Sequence, residues 1–435
     1  MKDFYTISEV ADMLSVSKET LRRWDKNGKL VPVRHPINNY RVYNSEDLRV
    51  FEQLGFLFSE NVPAEAEEPH RDFTVVELFA GAGGLALGME KAGLKCKLLN
   101  EIDHWACETL RKNRPKWNVI EKDISGLDFK PFNGKIDVVT GGFPCQAFSY
   151  AGKKLGLNDI RGTLFYEFAR AVNEIRPLMA IGENVRGLVS HENGRTLAGM
   201  ISVLDEIGYQ VLPPQILKAI YYQVPQKRER MFLVAIRKDT HICFDYPAPH
   251  KELYCIKDAL RAGKLYPTDV PPSPGQNYPK RKKEVLSMIP PGGYWRDLPV
   301  KIQKEYMMQS YYLGGGKTGM ARRMSWNEPC LTLTCAPAQK QTERCHPDET
   351  RPFTVREYAR IQTFPDDWAF CGSTGVQYKQ IGNAVPVNLA YHMGVEIVRA
   401  LNEYHRTQLC RAPKAAVSYL PASKKKPKKQ MLAVA

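Results

Sequence analysis

The stretch of residues 73–85, FTVVELFAGAGGL, constrains the fold more than any other part of this 435-residue chain. An apolar run of strand length enters a glycine-rich turn, and the residues of a helix follow. Glycines let the backbone pass close to a ligand, and such a turn presents amide N–H groups at the start of the helix. The stretch therefore predicts a β-strand, a ligand-binding turn and an α-helix in an α/β fold.

Apolar strand-like runs alternate with helical stretches from residue 73 to about residue 237. These runs cover residues 73–79, 97–100, 136–140, 179–182 and 231–236. Alternation of this kind is typical of βα units and a mostly parallel sheet. Residues 238–350 are instead rich in Pro, Gly, Tyr and Lys, and regular structure resumes after them. We therefore expect one α/β domain over residues 73–237, an irregular domain over residues 238–350, and residues 351–410 as the part that completes the first.

The two ends of the chain differ from this central part. Residues 1–58 contain Ser or Thr before apolar residues at helical spacing, then a short break and a second helical run with two arginines, which predicts a separate module. Residues 59–72 are acidic and contain two prolines, as expected of a linker. The basic, low-complexity residues 411–435 predict a disordered tail.

The charge of the chain points to a polyanionic partner. The net charge is +15, and seven of the excess positive charges lie in the tail, which carries no acid, so the rest of the chain still carries +8. A basic surface attracts polyanions, most often nucleic acid. The sequence has no signal-peptide pattern and no apolar run of membrane-spanning length, so we expect a cytoplasmic protein that binds no membrane. Ten cysteines without C-x-x-C spacing argue against a disulfide scaffold and a metal site.

Two carboxylates follow later strands of the same series. Glu101 lies 20 residues after Gly81, at the end of the next predicted strand, where a carboxylate can accept hydrogen bonds from two ribose hydroxyls. Asp123 follows the third strand-like stretch and is placed to accept from an adenine amino group. Dinucleotides and S-adenosylmethionine both present a ribose and an adenine, so these residues alone leave both ligands open.

Cys145 lies in the stretch GGFPCQAFSYAGKK, directly after the predicted strand of residues 136–140. Open α/β sheets bind ligands at the carboxyl ends of their strands, so this cysteine is expected at the same edge as the glycine-rich turn. Its alternatives are a buried thiol, half of a disulfide, a metal ligand and a nucleophile. A thiolate that adds to C6 of cytosine makes C5 nucleophilic, whereas a dehydrogenase has no need of such a loop. We therefore interpret Cys145 as a nucleophile.

Glu183 and two arginines supply the other groups that this chemistry needs. Addition to C6 requires a group that protonates N3 or hydrogen-bonds to it, and a carboxyl kept partly protonated by a dry pocket can do so. Arg228 and Arg230 alternate along QKRER, so we expect them on one face, where they can hold the base carbonyl, a phosphate or the thiolate. The alternatives are a structural salt bridge for Glu183 and solvated charge for the arginines.

From residue 73 to about residue 406 the chain resembles the bacterial DNA (cytosine-5)-methyltransferases. Eight stretches match the motifs of that family in the family's order. They are FAGAGGL (79–85), NEID (100–103), the Asp-Ile pair (123–124), GFPCQAFS (142–149), GENVRGL (182–188), QKRER (226–230), RPFTVREYARIQTFPDDW (351–368) and QYKQIGNAVPVNLA (377–390). Eight ordered matches are far more specific than any one of them.

This resemblance implies a Rossmann-like domain that uses S-adenosylmethionine, releases S-adenosylhomocysteine and methylates a cytosine flipped out of double-stranded DNA. It makes residues 238–350 the target-recognition domain, and it places Ser149 and Gln226 at the DNA. It assigns these residues to the cofactor: Phe79, Gly81, Gly83, Leu85, Glu101, Ile102, Asp123, Asn383 and Ala384. Two departures are Ile102, where relatives often have an aromatic residue, and Ala384, where many have serine.

Residues 1–58 resemble the MerR-type helix-turn-helix with its wing. In that fold the second helix enters a DNA groove, so Lys18, Thr20, Arg22 and Arg23 become the expected DNA contacts. The alternative is a small interaction module without a nucleic-acid role. We expect the modification enzyme of a restriction-modification system, a monomer on its target, with binding to its own promoter and dimerisation as further roles of the module. A pure transcription regulator and an RNA methyltransferase are the competing interpretations.

Overall fold

The computed structural model describes residues 3–14, 16–35, 39–59, 63–144, 163–314 and 317–411. The predicted nucleophile Cys145 and the predicted DNA contact Ser149 lie outside the described residues, as do residues 412–435 of the predicted tail. Among the described residues, none of the helices combines the length and the apolar content needed to cross a bilayer.

The N-terminal module contains two short helices and a small antiparallel sheet. Its elements are β1 (Phe4–Thr6), α1 (Ile7–Leu14), α2 (Lys18–Lys26), β2 (Val33–Arg34) and β3 (Arg41–Asn44), with β3 between β1 and β2. Helix α2 begins at Lys18 because the Ser17 side chain accepts a hydrogen bond from the backbone N–H of Thr20, 3.0 Å away. The two helices occupy the two helical runs of residues 1–58, whereas strand β1 was not expected from the sequence.

The large sheet has eight strands in the described part of the chain. They are β4 (Thr74–Leu78), β5 (Lys95–Glu101), β6 (Val119–Glu121), β7 (Val138–Gly141), β8 (Met179–Val185), β9 (Tyr209–Val211), β10 (Gln215–Lys218) and β12 (Glu229–Arg237). The strand order is β10-β12-β8-β7-β4-β5-β6, and β9 also pairs with β12. Strands β4 to β8 are parallel, whereas β12 runs antiparallel to β8, β9 and β10. The α/β fold with a mostly parallel sheet is confirmed.

Helices cover this sheet and form the rest of the described chain. The helices of the α/β domain are α3 (Gly84–Lys91), α4 (His104–Asn113), α5 (Leu164–Ile175) and α6 (Arg195–Glu206). In the described part of residues 238–350, the α-helices are α7 (Ile256–Leu260), α8 (Lys280–Ser287) and α9 (Val300–Met307), and three short 3-10 helices accompany them. The two-residue strand β13 (Cys330–Leu331) pairs with β11 (Gln226–Lys227). The last helices are α10 (Val355–Ile361), α11 (Thr374–Asn383) and α12 (Val387–Arg411).

Helix α12 returns to the α/β domain and packs closely against α3. A Cβ atom built on Gly88 would lie 2.3 Å from the Cβ atom of Ala390, and one built on Gly84 would lie 2.2 Å from the carbonyl oxygen of Val385. Both distances are too short for any side chain, so glycine allows the two segments to approach each other. Residues 385–390 thereby reach the helix that follows the glycine-rich turn.

Candidate active site

The site lies where the order of the sheet changes direction. The chain moves from β4 outward to β5 and β6, and it then crosses to β7 on the other side of β4. In open α/β sheets, the crevice at the carboxyl ends of the strands at such a point is the usual ligand site. The glycine-rich turn follows β4 and residues 142–144 follow β7, so both predicted motifs begin at this crevice.

The glycine-rich turn has an unusual backbone. Phe79, Gly81 and Gly83 have φ values of 58°, 53° and 85°, in the left-handed region that favours glycine. A Cβ atom on Gly83 would lie 2.6 Å from Leu110 and 3.0 Å from Trp368, so this glycine allows close packing beneath the turn. A Cβ atom on Gly81 would meet nothing within 4 Å, so this part of the turn faces open space.

Glu101 joins the end of β5 to the glycine-rich turn. Its Oε2 atom accepts from the Gly81 N–H at 2.7 Å, and its Oε1 atom accepts from the N–H groups of Ile102 and Asp103, both at 2.8 Å. The Glu101 carboxylate therefore stabilises the turn. It also lies at the position where the sequence predicts an acceptor for the ribose hydroxyls. Beside it, Ile102 is 67% exposed and Trp105 is 44% exposed. This apolar rim suits a flat ring, and sequence analysis did not single out Trp105.

The other predicted cofactor residues differ in their exposure to solvent. Asp123 is exposed, and its Oδ1 atom accepts from the backbone N–H and the hydroxyl of Ser125, which lowers the pKa of Asp123. Leu85 is buried in α3, and a Cβ atom on Gly84 would lie 3.3 Å from that of Ala384. The neighbouring Asn383 is exposed, and its Oδ1 atom accepts from the Cys335 thiol at 2.9 Å.

Glu183 lies at the carboxyl end of β8, on the far side of β7 from the glycine-rich turn. Its carboxylate is buried, and its Oε1 atom lies 2.6 Å from the Nε atom of Arg230 on the adjacent strand β12. Burial raises the pKa of Glu183, and the positive charges of Arg230 and Arg228 oppose this rise. A carboxyl with a raised pKa that is ion-paired with a guanidinium can both donate and accept at one planar ligand.

The residues next to Glu183 fix the chain that leads to Cys145. A Cβ atom on Gly142 would lie 3.0 Å from the Glu183 Oε2 atom, so a larger residue there would press on the carboxylate. The Asn184 side chain donates to the carbonyl oxygen of Phe143 at 2.8 Å, and the Phe143 ring is buried. The described chain ends at Pro144, directly before Cys145. Sequence analysis gave Asn184 no role, although it directly follows Glu183 in the GENV motif.

Arg228 and Arg230 both oppose the rise in the pKa of Glu183, but they have different contacts. Arg228 precedes β12, and its buried guanidinium donates to the carbonyl oxygens of Leu333 at 3.3 Å, Gly382 at 3.0 Å and Asn383 at 3.4 Å. The prediction assumed one continuous strand with alternating side chains, but β12 begins only at Glu229. Among the described residues, the contacts of Arg228 are thus those of a residue that ties three segments together.

Gln226 is also buried, which does not fit the predicted contact with DNA. Its side-chain amide donates to Gln362 at 2.9 Å, and its oxygen accepts from the Leu333 N–H at 3.0 Å. Gln362 in turn donates to the carbonyl oxygens of Ile381 and Ala384. Gln226 therefore belongs to a buried polar network that joins β11 to the C-terminal residues.

Glu77 is a buried carboxyl at the centre of the site that sequence analysis missed. It lies on β4, directly before the glycine-rich turn, and Thr140 on β7 donates to its Oε2 atom at 3.5 Å. Burial raises its pKa to about 8, so the carboxyl is largely protonated at neutral pH. The signal available in the sequence was an acidic residue within the otherwise apolar strand TVVEL.

The predicted DNA contacts of the N-terminal module lie on helix α2. Lys18 forms an ion pair of 2.6 Å with Glu328, a residue of the irregular domain, and Arg22 pairs with Glu19 at 3.0 Å. The Thr20 hydroxyl lies 2.9 Å from that of Ser17, and Arg23 is exposed. Of the predicted contacts on this helix, Lys18 is thus used within the protein itself.

Comparisons with known proteins agree with this geometry. The family model of the C-5 cytosine-specific DNA methylases matches residues 73–399, and that of the MerR family regulatory proteins matches residues 6–43. The chain is 62% identical to the Type II methyltransferase M.Eco47II of Escherichia coli over 93% of this chain and 98% of that protein. It is 58% identical to the Type II methyltransferase M.PspPI of Psychrobacter sp. (strain TA137) over 92% of this chain and 96% of that protein.

A solved structure shows the same fold. The crystal structure of a candidate DNA modification methyltransferase from an E. coli prophage matches with a TM-score of 0.60 and 23% identity, covering 76% of this chain and 100% of that chain. The family match spans the glycine-rich turn, Glu183 and the returning helix α12. From residue 73 to residue 399, then, the chain belongs to the C-5 cytosine-specific DNA methylase family.

Proposed function

We propose that this protein transfers a methyl group from S-adenosylmethionine to C5 of a cytosine flipped out of a specific duplex DNA site, as the modification enzyme of a restriction-modification system. The observation that carries this proposal is the buried pair of Glu183 and Arg230, at the same sheet edge as the glycine-rich turn. The relatives described as Type II methyltransferases support the biological setting.

The residues of the turn fit the methyl donor. Gly81 leaves open space, Glu101 offers a carboxylate at the end of β5, and Ile102 with Trp105 offers an apolar edge for a flat ring. When bound, S-adenosylmethionine supplies an electrophilic sulfonium methyl group. The residues that would hold it are Phe79, Gly81, Gly83, Leu85, Glu101, Ile102, Asp123, Asn383 and Ala384.

The chemistry begins with the weak nucleophilicity of C5 in cytosine. The Cys145 thiolate adds to C6, and the electron pair displaced from the C5–C6 double bond makes C5 nucleophilic. Glu183 donates a proton or hydrogen bond to N3, which stabilises the charge that the addition places on the ring. Arg230 orients the Glu183 carboxyl through their 2.6 Å contact. After methylation a base removes the C5 proton, the Cys145–C6 bond breaks and the aromatic ring is restored.

The test uses duplex DNA with the methyl donor labelled by tritium. We expect wild-type protein to transfer label to duplex DNA and not to tRNA, which separates DNA from RNA methylation. Bisulfite sequencing of DNA from cells that express the protein should then reveal the methylated base and its site. Label found in tRNA alone would contradict the proposal.

The role of Cys145 is tested separately. A Cys145→Ser variant should bind DNA and S-adenosylmethionine but transfer no methyl group, because serine is a much weaker nucleophile. A duplex with 5-fluorocytosine at the target should trap the wild-type protein covalently, since fluorine cannot leave as the C5 proton does. Cys243→Ser is the matched control, because this thiol is exposed and no catalytic or cofactor role is predicted for it. Wild-type turnover by the Cys145→Ser variant would exclude the covalent mechanism.

We further propose that the N-terminal module binds the promoter of its own gene; the match of residues 6–43 to the MerR family regulatory proteins supports DNA binding by the module. A gel-shift assay with that promoter and the variant Thr20→Ala with Arg23→Ala tests it. Loss of the shift with methylation retained would support it, and an unchanged shift would contradict it. Sedimentation with and without promoter DNA tests dimerisation through the module, and fractionation of cells tests the cytoplasmic location.

A further inference from the structure

The N-terminal module is packed onto the catalytic domain rather than held at a distance by its linker. Leu14 and Leu57 of the module belong to the same buried hydrophobic cluster as Leu217 and Tyr221 of the catalytic domain. The ring of Phe56 contacts that of Tyr221 edge-on, with centroids 4.8 Å apart. A continuous apolar core of this kind fixes the position of one unit on the other.

Ion pairs and hydrogen bonds surround this apolar contact. Asp12 of α1 lies 2.5 Å from the Nζ atom of Lys227 on β11, and the Asp12 side chain is 8% exposed. Lys18 of α2 lies 2.6 Å from Glu328. The Tyr221 hydroxyl donates to the carbonyl oxygen of Met13 at 3.0 Å. A buried charge is costly to leave unpaired, so these contacts also oppose separation of the module.

A cavity of about 750 Å³ lies where the module meets the catalytic domain and the irregular domain. Helix α2 forms one wall, the segment from β11 to the start of β12 forms the second, and the irregular domain forms the third. Each wall contributes cations or their partners, including Lys18, Arg22, Lys227, Glu229, Arg296 and Arg322. Glu229 directly precedes Arg230, so this cavity lies beside the strand that carries the partner of Glu183.

Two of these cations are available to a ligand at the cavity rim. The Arg22 side chain is 51% exposed despite its pairing with Glu19, and Arg296 is exposed beside the ring of Trp295. Lys18 and Lys227 already have carboxylate partners within the protein. The exposed arginines therefore line one cavity from two different domains.

We propose that the N-terminal module is a fixed wall of the substrate cleft, and that Arg22 and Arg296 bind phosphates of the duplex being methylated, in the arm that flanks the target site. This proposal rests on the DNA methyltransferase function. Its reasons are the fixed position of α2, the two exposed guanidiniums at one cavity and the nearness of Glu229 to the catalytic strand. Lys18, a predicted contact for separate promoter DNA, is instead paired with Glu328 in this wall.

The experiment compares two duplexes that share one target site. One has only a few flanking base pairs, and the other has roughly two helical turns of DNA on each side. Full-length wild-type protein should show a higher kcat/KM on the long duplex, because the flanking arm reaches the module. In the double variant Arg22→Glu with Arg296→Glu, the ratio of long to short kcat/KM should fall on the order of tenfold. For this variant, the dependence of kcat/KM on salt concentration with the long duplex should weaken by about two released counterions, one for each lost phosphate contact.

The control carries two equivalent charge reversals away from this cleft. Lys97→Glu with Lys112→Glu changes exposed residues on β5 and α4, and we expect its ratio to equal that of the wild type. Thermal midpoints of both double variants identify unfolding, and the milder Arg22→Ala with Arg296→Ala should shift the ratio in the same direction. If neither the glutamate nor the alanine double variant of Arg22 and Arg296 changes the ratio of long to short kcat/KM, the proposal is overturned. If the wild type methylates neither duplex, the proposed function itself fails instead.

Discussion

The two sides of the active site differ in what holds them together. On the side of β4 and β5, the polar contacts of Glu101 join residues close in the sequence, namely Gly81 and the two residues that follow Glu101. On the side of β11 and β12, Arg228 binds carbonyl groups of Leu333 and Gly382, more than a hundred residues away. The first side is a local motif, whereas the second is an assembly of distant segments. A short sequence motif therefore predicts the contacts of the first side well and those of the second side poorly.

The largest effect should come from Glu183, the buried carboxyl between the two sides of the active site. Glu183→Gln keeps the shape of the side chain but removes its titratable proton. General acid catalysis typically contributes 10²- to 10⁴-fold, so we expect kcat to fall on the order of a thousandfold. Steady-state methylation of duplex DNA measures this, with Glu305→Gln, a change at an exposed carboxylate, as the control. A kcat within about twofold of the wild type would exclude Glu183 from the chemistry.

The two arginines should separate stability from activity. Arg228→Ala leaves two buried carbonyl groups and one partly buried carbonyl group without their donor, so we expect the free energy of unfolding to fall by about 3 kcal/mol. Arg230→Lys retains a positive charge near Glu183 but loses the planar contact, so we expect mainly a lower kcat. Denaturant unfolding and steady-state kinetics on both variants measure the two effects. The comparison between Arg228 and Arg230 would fail if the effects were reversed.

A smaller effect should appear in the pH dependence of stability. Burial raises the pKa of Glu77 to about 8, so the folded protein holds this proton more tightly than the unfolded chain does. The resulting stability is fully present below the pKa of the unfolded chain and is lost as the pH rises through 8. Between pH 6 and pH 8 the loss is on the order of 2 kcal/mol, at about 1.4 kcal/mol per pH unit.

Glu77→Gln should remove this part of the pH dependence, because glutamine does not titrate. The measurement is denaturant unfolding at several pH values for the wild type and the variant. Glu65→Gln is the matched control, since Glu65 is exposed in the linker. Parallel stability curves for the wild type and Glu77→Gln would show that Glu77 is not protonated in the folded state.

The local side of the site was largely predictable from the sequence. The glycine-rich turn, Glu101 and the strands around them follow from patterns within about thirty residues, and the structure has them at the expected edge of the sheet. Trp105 was missed because nothing in the sequence shows that the first turn of α4 faces the crevice. Glu77 was missed because a single acid in a strand does not reveal whether it is buried.

The distant side was less predictable for a physical reason. Alternation along a strand predicted that Arg228 and Arg230 share a face, but β12 starts between them and the partners of Arg228 come from residues 333–383. Gln226 was predicted at the DNA, yet its partner is Gln362, which no local pattern identifies. The packing of the N-terminal module onto Tyr221 was likewise invisible, because an acidic linker suggests separation.

The close approach of α3 and α12 has a consequence for the newly made protein. A ribosome produces the glycine-rich turn long before Val385 and Ala390, which cover the helix behind that turn. Between these events the ribosome makes the whole irregular domain, which the sequence predicts to be the target-recognition domain. A chain that terminates before Val385 thus lacks the residues that cover its own glycine-rich turn. A shorter fragment that also lacks the irregular domain has no sequence selectivity, and we expect both to be poorly able to modify the genome.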